Sequence, residues 1–132
     1  MHLKIRATEA DSIGSVAIVD LMPGGFEAVQ QPPPAPADDA NADNANNAPT
    51  PPPPWRSPIG LPGSSWNLSY ADVRDDRVVI YGTATRSVSE FIYRIRATNA
   101  GSFVVPPAYG ESMYDRTVQA RSLGTKIEVK KK

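Results

Sequence analysis

The sequence has 132 residues, which is enough for one domain with a hydrophobic core but not comfortably for two. Its 14 basic and 14 acidic residues give a formal net charge of zero, so charge favours neither nucleic acid nor an anionic membrane as a partner. Cysteine is absent, which excludes disulfides, thiolate catalysis and cysteine-ligated metals within this chain. The single histidine, His2, follows Met1 directly, and we expect neither a catalytic base nor a metal ligand there.

The start of the sequence shows no targeting pattern. No run approaches the roughly 20 apolar residues that a membrane-spanning helix needs. Residues 1–20 lack the basic start and long apolar core of a signal peptide. Because a strand pattern begins almost at Met1, we expect the chain to be a fragment of a longer exported protein.

The first 30 residues predict two strands of different kinds. Leu3, Ile5 and Ala7 alternate with polar residues, a period of two that is typical of a strand with one face in water. Residues 15–21 form an apolar run rich in β-branched side chains, which is typical of a central, more fully covered strand. Two glycines at positions 24 and 25 then predict a turn, since the Lys-Ser/Thr continuation of a phosphate-binding loop is missing.

Residues 31–54 contain only Pro, Ala, Asn, Asp, Gln and Thr, without one large apolar side chain. Burial cannot offset the ordering entropy of such a segment, so we predict a disordered insertion within a single β-sandwich domain that spans residues 1–132. A proline-rich docking site for a partner is the alternative, although the usual flanking arginines are missing. Trp55 and Trp66 follow, and we expect them to pin the end of the insertion onto the domain.

The remaining sequence predicts further strands at regular intervals. They lie at residues 77–81, 91–97, 103–105 and 126–130. Asn99, Ala100 and Gly101 predict a hairpin turn between the second and third of these strands. Helical spacing is missing throughout, and short strands with turn signals between them are typical of an all-β, immunoglobulin-like antiparallel sandwich.

Residues 103–116 combine an apolar strand with a polar and aromatic segment, which predicts a displayed recognition loop. Pro106 and Pro107 cannot donate backbone hydrogen bonds, so the strand must end there. Gly110 permits a turn that other residues resist. Three side chains in this segment offer large apolar surfaces with polar or polarisable atoms, a mixture typical of protein interfaces: Tyr109, Met113 and Tyr114.

Two other kinds of function stay open. A stand-alone binding module for carbohydrate or protein would use aromatic side chains as stacking platforms, and the candidates are Trp55, Trp66, Tyr70 and Tyr81. A small hydrolase or a calcium site would use carboxylates, and the candidates are Asp72, Asp75, Asp76 and Glu111. The hydrolase needs two carboxylates that face each other across a cleft, whereas the alternating charges of residues 72–77 favour a solvated turn.

Three stretches of the sequence together resemble a known family. They are residues 15–27 with DLMPGGFE, residues 70–82 with DDRVVIYG, and residues 91–116 with PPAYGESMYDR. In order and spacing they resemble the C-terminal domain of bacterial α2-macroglobulins and, more distantly, the receptor-binding domain of animal α2-macroglobulins and complement proteins. The resemblance covers nearly everything except residues 31–54, and it implies a macroglobulin-like β-sandwich.

The resemblance implies that the chain is a non-catalytic part of a protease trap. In that family a large periplasmic protein, anchored to the inner membrane as a lipoprotein, offers a bait region to proteases. Cleavage of the bait lets a cysteine-glutamine thioester in another domain capture the attacking protease. The implied partners are the thioester domain, host or competitor proteases, and a peptidoglycan-synthesising penicillin-binding protein. The resemblance implies no nucleic-acid partner and no cofactor. It also implies no direct membrane contact by this domain.

The resemblance also assigns positions to the surface that keeps water and nucleophiles from the thioester. Met113 and Tyr114 match this shielding segment, with Tyr109, Gly110 and Glu111 as supporting neighbours. Such a cover needs bulk, low polarity at the contact, and a geometry held by the scaffold. We expect Asp115 and Arg116 to fix the segment through a charge pair at its base. Catalytic residues and metal ligands are not implied.

Overall fold

The computed structural model describes residues 1–32, 55–66 and 68–131. The insertion predicted for residues 31–54 therefore lies, apart from its first two residues, outside the described residues. The described chain contains eleven strands: β1 His2–Ile5, β2 Ser12–Leu21, β3 Phe26–Ala28, β4 Leu68–Val73, β5 Arg77–Thr85, β6 Ser89–Ile92, β7 Ile95–Ala97, β8 Gly101–Val105, β9 Tyr109–Ser112, β10 Gln119–Arg121 and β11 Thr125–Val129. Across these described ranges, no helix has the length and apolar character needed to span a membrane.

One layer of the fold is a five-stranded antiparallel sheet in the order β10-β9-β2-β5-β4. Its two longest strands, β2 and β5, are paired in register at the centre, with Ile18 opposite Ile80. Both of these side chains are buried, as is Val78, because they lie on the face that points into the core. The central position predicted for residues 15–21 and 77–81 is thus confirmed.

The second layer is built around β6 and β7, which follow each other with only Tyr93 and Arg94 between them. Strand β6 pairs with β1, and β7 pairs with β3, in both cases antiparallel. Phe91 and Tyr93 turn inward with ring centroids 5.9 Å apart, and both are almost fully buried against the five-stranded sheet. Apolar side chains from the two layers form one core, so the predicted all-β antiparallel sandwich is confirmed.

The segment that follows the insertion packs beside β6, where the Leu61 and Trp66 N–H groups donate to the Ile92 and Glu90 carbonyl oxygens. Ile59 is fully buried, and Trp66 is buried with its indole N–H donating to the Thr83 carbonyl oxygen over 2.8 Å. Gly82 lies directly under the Trp66 ring, where a Cβ atom would come within 2.9 Å of it. Trp66 therefore pins this segment as predicted, and Trp55, although 45% exposed, packs against Tyr70 of β4 with ring centroids 5.5 Å apart.

The predicted hairpin between residues 91–97 and 103–105 is wrong. Strand β7 pairs with β3, and β8 pairs with β11 along its full length. Thr98 donates both its N–H and its hydroxyl to the Gly25 carbonyl oxygen, which keeps the end of β7 beside the turn that precedes β3. Phe103 of β8 then packs edge-on against Phe26, at 5.6 Å between ring centroids.

Candidate functional site

The prediction of a displayed loop over residues 103–116 needs correction, because Tyr109–Ser112 is strand β9. This strand lies inside the five-stranded sheet, between β2 and β10. Its backbone hydrogen bonds are taken up by two neighbours, so it is part of the scaffold. After Ser112 the chain leaves the sheet, and residues 113–116 are all exposed.

The two consecutive prolines act as predicted, since β8 ends at Val105 immediately before them. The chain crosses from the β8–β11 pair to the five-stranded sheet over residues 106–108. Ser122 holds the end of this crossing, because its N–H donates to the Ala108 carbonyl oxygen and its hydroxyl accepts from the Ala108 N–H. The prolines therefore mark a change of sheet.

A β-bulge in β2 fixes the start of the turn that follows β9. The register between β2 and β5 shifts between Ile13 and Val16, and Ser15 in this bulge has a φ of 52°. A positive φ is costly for a residue other than glycine, and such strain tends to persist where surrounding structure requires it. Here the Ser15 carbonyl oxygen accepts the Met113 N–H over 2.9 Å.

A compact hydrogen-bond network holds the turn from Met113 to Val118, which we call the 113–118 turn. The buried Ser112 hydroxyl accepts the Asp115 N–H, and the Val118 N–H donates to the Asp115 carbonyl oxygen. The Asp115 carboxylate accepts both the N–H and the hydroxyl of Thr117, at 3.0 and 2.6 Å. These bonds lower the pKa of the Asp115 carboxyl.

The predicted charge pair between Asp115 and Arg116 is replaced by this arrangement. The Asp115 carboxylate is occupied by Thr117, and the Arg116 carbonyl oxygen accepts a hydrogen bond from the Gln119 side chain. An aspartate two residues before a threonine closes a local turn more readily than it reaches an adjacent arginine side chain. The base of the turn is therefore held by neutral and charge-assisted hydrogen bonds.

Met113 and Tyr114 are the displayed side chains of the 113–118 turn. Met113 is 55% exposed and Tyr114 is 87% exposed, although both are large and apolar. The backbone is held by a hydrogen bond on each side of Tyr114. The Met113 N–H donates to the Ser15 carbonyl oxygen, and the Asp115 N–H donates to the Ser112 hydroxyl. The geometry is that of a rigidly held turn with an apolar tip.

Tyr109 and Glu111 lie together on the outer face of the sheet. The Tyr109 hydroxyl donates to the Glu111 carboxylate over 2.8 Å, which raises the pKa of the tyrosine. The Arg121 guanidinium of β10 lies 5.3 Å from the centre of the Tyr109 ring, within range of a cation–π interaction. Both predicted supporting residues therefore already have partners within the chain.

Gly110 faces the opposite way, toward the core. It lies in register with Ile18, and a Cβ atom at Gly110 would be 3.6 Å from the Ile18 side chain. Its φ is not in the left-handed region, so the predicted turn at this position is wrong. The five predicted residues thus separate into an exposed pair, an outward pair with internal partners, and one core-facing glycine.

The carboxylates considered for a hydrolase or a calcium site do not converge. Asp72 pairs with Arg74 at 2.8 Å, and Asp76 pairs with Arg77 at 2.6 Å. Glu111 lies on β9, with β2 and β5 between it and β4. In the described ranges, no group of three or more His, Cys, Asp or Glu side chains is placed to hold a metal ion. This geometry does not support the hydrolase alternative.

Sequence reasoning missed the residues that hold the 113–118 turn. Asp115 and Thr117 have the spacing of a local side-chain turn, a signal that could have identified them. Ser112 and Arg121 act through contacts that follow from strand pairing. Ser15 lies far from Met113 in sequence, and its bulge leaves no local signature that we recognise.

Solved structures establish the class of fold. The chain matches the native conformation of Escherichia coli alpha-2-macroglobulin, determined by cryo-EM, with a TM-score of 0.64 over 97% of this chain at 21% identity. It matches E. coli alpha-2-macroglobulin activated by porcine elastase with a TM-score of 0.64 over 98% of this chain at 22% identity. The chain covers 7% and 10% of those two chains. The fold is that of a macroglobulin-like β-sandwich.

Sequence comparisons establish the family. Residues 1–116 match the family model described as the bacterial alpha-2-macroglobulin MG10 domain. The chain is 54% identical over 129 residues to an alpha-2-macroglobulin homolog of Yersinia pestis, and 33% identical over 130 residues to an alpha-2-macroglobulin of Pasteurella multocida. These alignments cover 94% and 98% of the chain and 6% of each relative. The chain belongs to the bacterial α2-macroglobulin family, in which it corresponds to the MG10 domain.

Proposed function

We propose that this chain is a non-catalytic C-terminal domain of a protease-trapping α2-macroglobulin, in which the 113–118 turn packs on the thioester domain. Met113 and Tyr114 shield the thioester from water and nucleophiles until the bait region is cleaved. The observation that carries this proposal is the exposure of two large apolar side chains on a turn whose backbone is fixed at both ends.

The energetics of the turn suit such a cover. Burying apolar surface is favourable by about 25 cal/mol per Å², so Met113 and Tyr114 gain by contact with a second domain. Because the network around Ser112, Asp115 and Thr117 already holds the turn, little further ordering entropy is lost on docking. A rigid cover also excludes water more reliably than a flexible one.

We assign narrower roles to the supporting residues. The outer face of the sheet beside the turn carries three polar side chains that contact one another: Tyr109, Glu111 and Arg121. Because these contacts already hold them in place, we assign them to the polar rim of the interface with the thioester domain. Gly110 faces the core opposite Ile18 and lies away from the surface of the turn. Direct contact with the thioester domain is therefore assigned to Met113 and Tyr114.

The setting of the parent protein is part of the proposal. One structural neighbour is an alpha-2-macroglobulin activated by elastase, which supports proteases as partners of the parent. We place the parent in the periplasm, anchored to the inner membrane as a lipoprotein. A peptidoglycan-synthesising penicillin-binding protein is retained as a further proposed partner.

The test uses the full-length parent protein and measures the rate at which methylamine consumes its thioester. Met113→Ala and Tyr114→Ala each open the cover, so both are expected to react faster than the wild type. Leu123→Ala is the matched control, because Leu123 is also large, apolar and highly exposed but lies outside the turn. It is expected to react at the wild-type rate.

Two results would contradict the proposal. One is a parent protein that contains no methylamine-reactive thioester. The other is a reaction rate that neither Met113→Ala nor Tyr114→Ala changes, while both variants retain the wild-type melting temperature.

A further inference from the structure

A cleft of about 730 Å³ lies beside the described ends of the insertion, on a different part of the surface from the 113–118 turn. Its volume falls within the range typical of small-molecule sites. Its walls come from the segment before the insertion, the segment after it, and the buried Trp66. The polar and aromatic side chains among them include Gln30, Gln31, Trp55, Arg56 and Trp66.

Trp55 forms an exposed aromatic wall of the cleft, and a stack of rings supports it from outside. Its ring centroid lies 5.5 Å from that of Tyr70, at an interplanar angle of 36°. Tyr70 lies 6.2 Å from Tyr81, its partner in the β4–β5 register, at an angle of 35°. Trp55 therefore lines the cleft while its position is held by two rings anchored on the sheet.

Among the described residues that line the cleft, almost all polar groups are uncharged. Arg56 is the one charged residue among the described lining residues, and no carboxylate or lysine lines the cleft there. Gln30 and Arg56 are exposed, with planar ends that can each make two parallel hydrogen bonds. The Gln31 side-chain N–H donates to the Gly60 carbonyl oxygen, which fixes that amide beside them.

We propose that this cleft binds an uncharged oligosaccharide. A pyranose ring has one face of C–H groups, which packs on an aromatic ring, and a rim of neighbouring hydroxyls, which match planar amide and guanidinium groups. Trp55 supplies the ring, and Gln30 with Arg56 supplies the planar hydrogen-bonding groups. Nucleic acid also stacks on aromatic rings, but it requires a basic groove, and one arginine does not make one.

A proline-rich peptide is the competing occupant, because such peptides dock in grooves lined by aromatic side chains. The observations favour the saccharide, since the exposed Gln30 and Arg56 have planar polar ends and line the same cleft as the supported Trp55 ring. The residues between Pro32 and Trp55 lie outside the described residues, and the proposed site includes none of them.

The test uses the chain of residues 1–132 and follows indole N–H signals by NMR during titration with chitotetraose, cellotetraose and maltotetraose. The chain has two tryptophans, so there are two indole signals to assign, and Trp55→Phe identifies one of them. At least one of the three probes is expected to shift the Trp55 signal and the Gln30 side-chain amide. Trp55→Ala is expected to abolish binding, and Arg56→Ala to weaken it by about tenfold, the equivalent of ~1.4 kcal/mol.

The matched control is Tyr114→Ala, which removes an exposed aromatic ring outside the cleft and is expected to leave saccharide affinity unchanged. Trp55→Phe keeps an aromatic face and is expected to retain weakened binding, which separates loss of stacking from loss of fold. The proposal is overturned if no probe shifts the Trp55 signal at millimolar concentration. It is also overturned if binding persists in Trp55→Ala, or if a proline-rich peptide binds the cleft and none of the saccharides does.

Discussion

At the scale of single residues, the buried pair of Asp20 and Tyr93 links the two layers of the sandwich. Asp20 is 1% exposed, and its carboxylate accepts the Tyr93 hydroxyl over 2.5 Å. Burial raises the pKa of Asp20, against the lowering effects of the Tyr93 hydrogen bond and of the Met1 amino group. Removal from water disfavours the ionised form more than one hydrogen bond stabilises it.

This pair predicts a defined pH dependence of stability. A carboxyl whose pKa is raised on folding binds its proton more tightly in the folded state. Its contribution is complete below the unfolded pKa and is lost as pH rises through the folded pKa. As pH rises from the ordinary aspartate pKa of about 4 through the raised pKa of folded Asp20, the unfolding free energy of the wild type should therefore fall relative to that of Asp20→Asn.

Denaturant unfolding across this pH range measures the effect, and the slope against pH is the quantity compared. Asp75→Asn is the control, because it makes the same substitution at an exposed position in the β4–β5 turn. Parallel curves for the wild type and Asp20→Asn would show that Asp20 does not carry the proton linkage.

Residue-level prediction succeeded where a side chain's own chemistry decides its place. Met113 and Tyr114 lie in the polar and aromatic segment after the two prolines, and the sequence indicated that they would be displayed. The sequence did not indicate that Ser15 holds the 113–118 turn. Ser15 lies in a β-bulge, and a bulge depends on how two strands pair and not on one residue.

At the scale of elements, the prolines at 106 and 107 and the glycines at 24 and 25 were read correctly as breaks. Proline ends a hydrogen-bonded ladder whatever its surroundings, so this signal is local. The strand nature of Tyr109–Ser112 was missed, since its hydrogen bonds go to β2 and β10, and pairing partners distant in sequence are not visible locally. The misassigned hairpin has the same cause.

The turn that connects β2 to β3 gives a prediction at this scale. Gly25 has a φ of 73°, and a Cβ atom there would lie 2.8 Å from the Phe103 ring. Gly25→Ala should destabilise the fold by about 1–3 kcal/mol, because it combines overpacking with a left-handed backbone. Gly14→Ala is the matched control, with nothing within 4 Å of the added Cβ, and should change stability by less than about 0.5 kcal/mol.

Denaturant unfolding midpoints of Gly25→Ala and Gly14→Ala test this predicted difference in stability. Equal stabilities would contradict the prediction, because they would require both the Phe103 ring and the left-handed backbone at Gly25 to accept a Cβ atom without cost.

At the scale of the whole molecule, alternation and turn signals were sufficient to predict an antiparallel sandwich, because each strand buries one face and the two layers share one core. Strand order was beyond that reasoning, since it depends on contacts between distant segments. The comparison with relatives adds information that the fold does not contain. The chain covers about 6% of the length of each of two bacterial relatives.

The central claim, that Met113 and Tyr114 are covered by another domain, is tested most directly by hydroxyl-radical footprinting. Oxidation of the two side chains is compared in the chain of residues 1–132, in the native full-length parent, and in the parent after cleavage by elastase. We predict rapid oxidation in the isolated chain, strong protection in the native parent, and renewed oxidation after cleavage. Equal oxidation of Met113 and Tyr114 in the isolated chain and in the native parent would contradict the account.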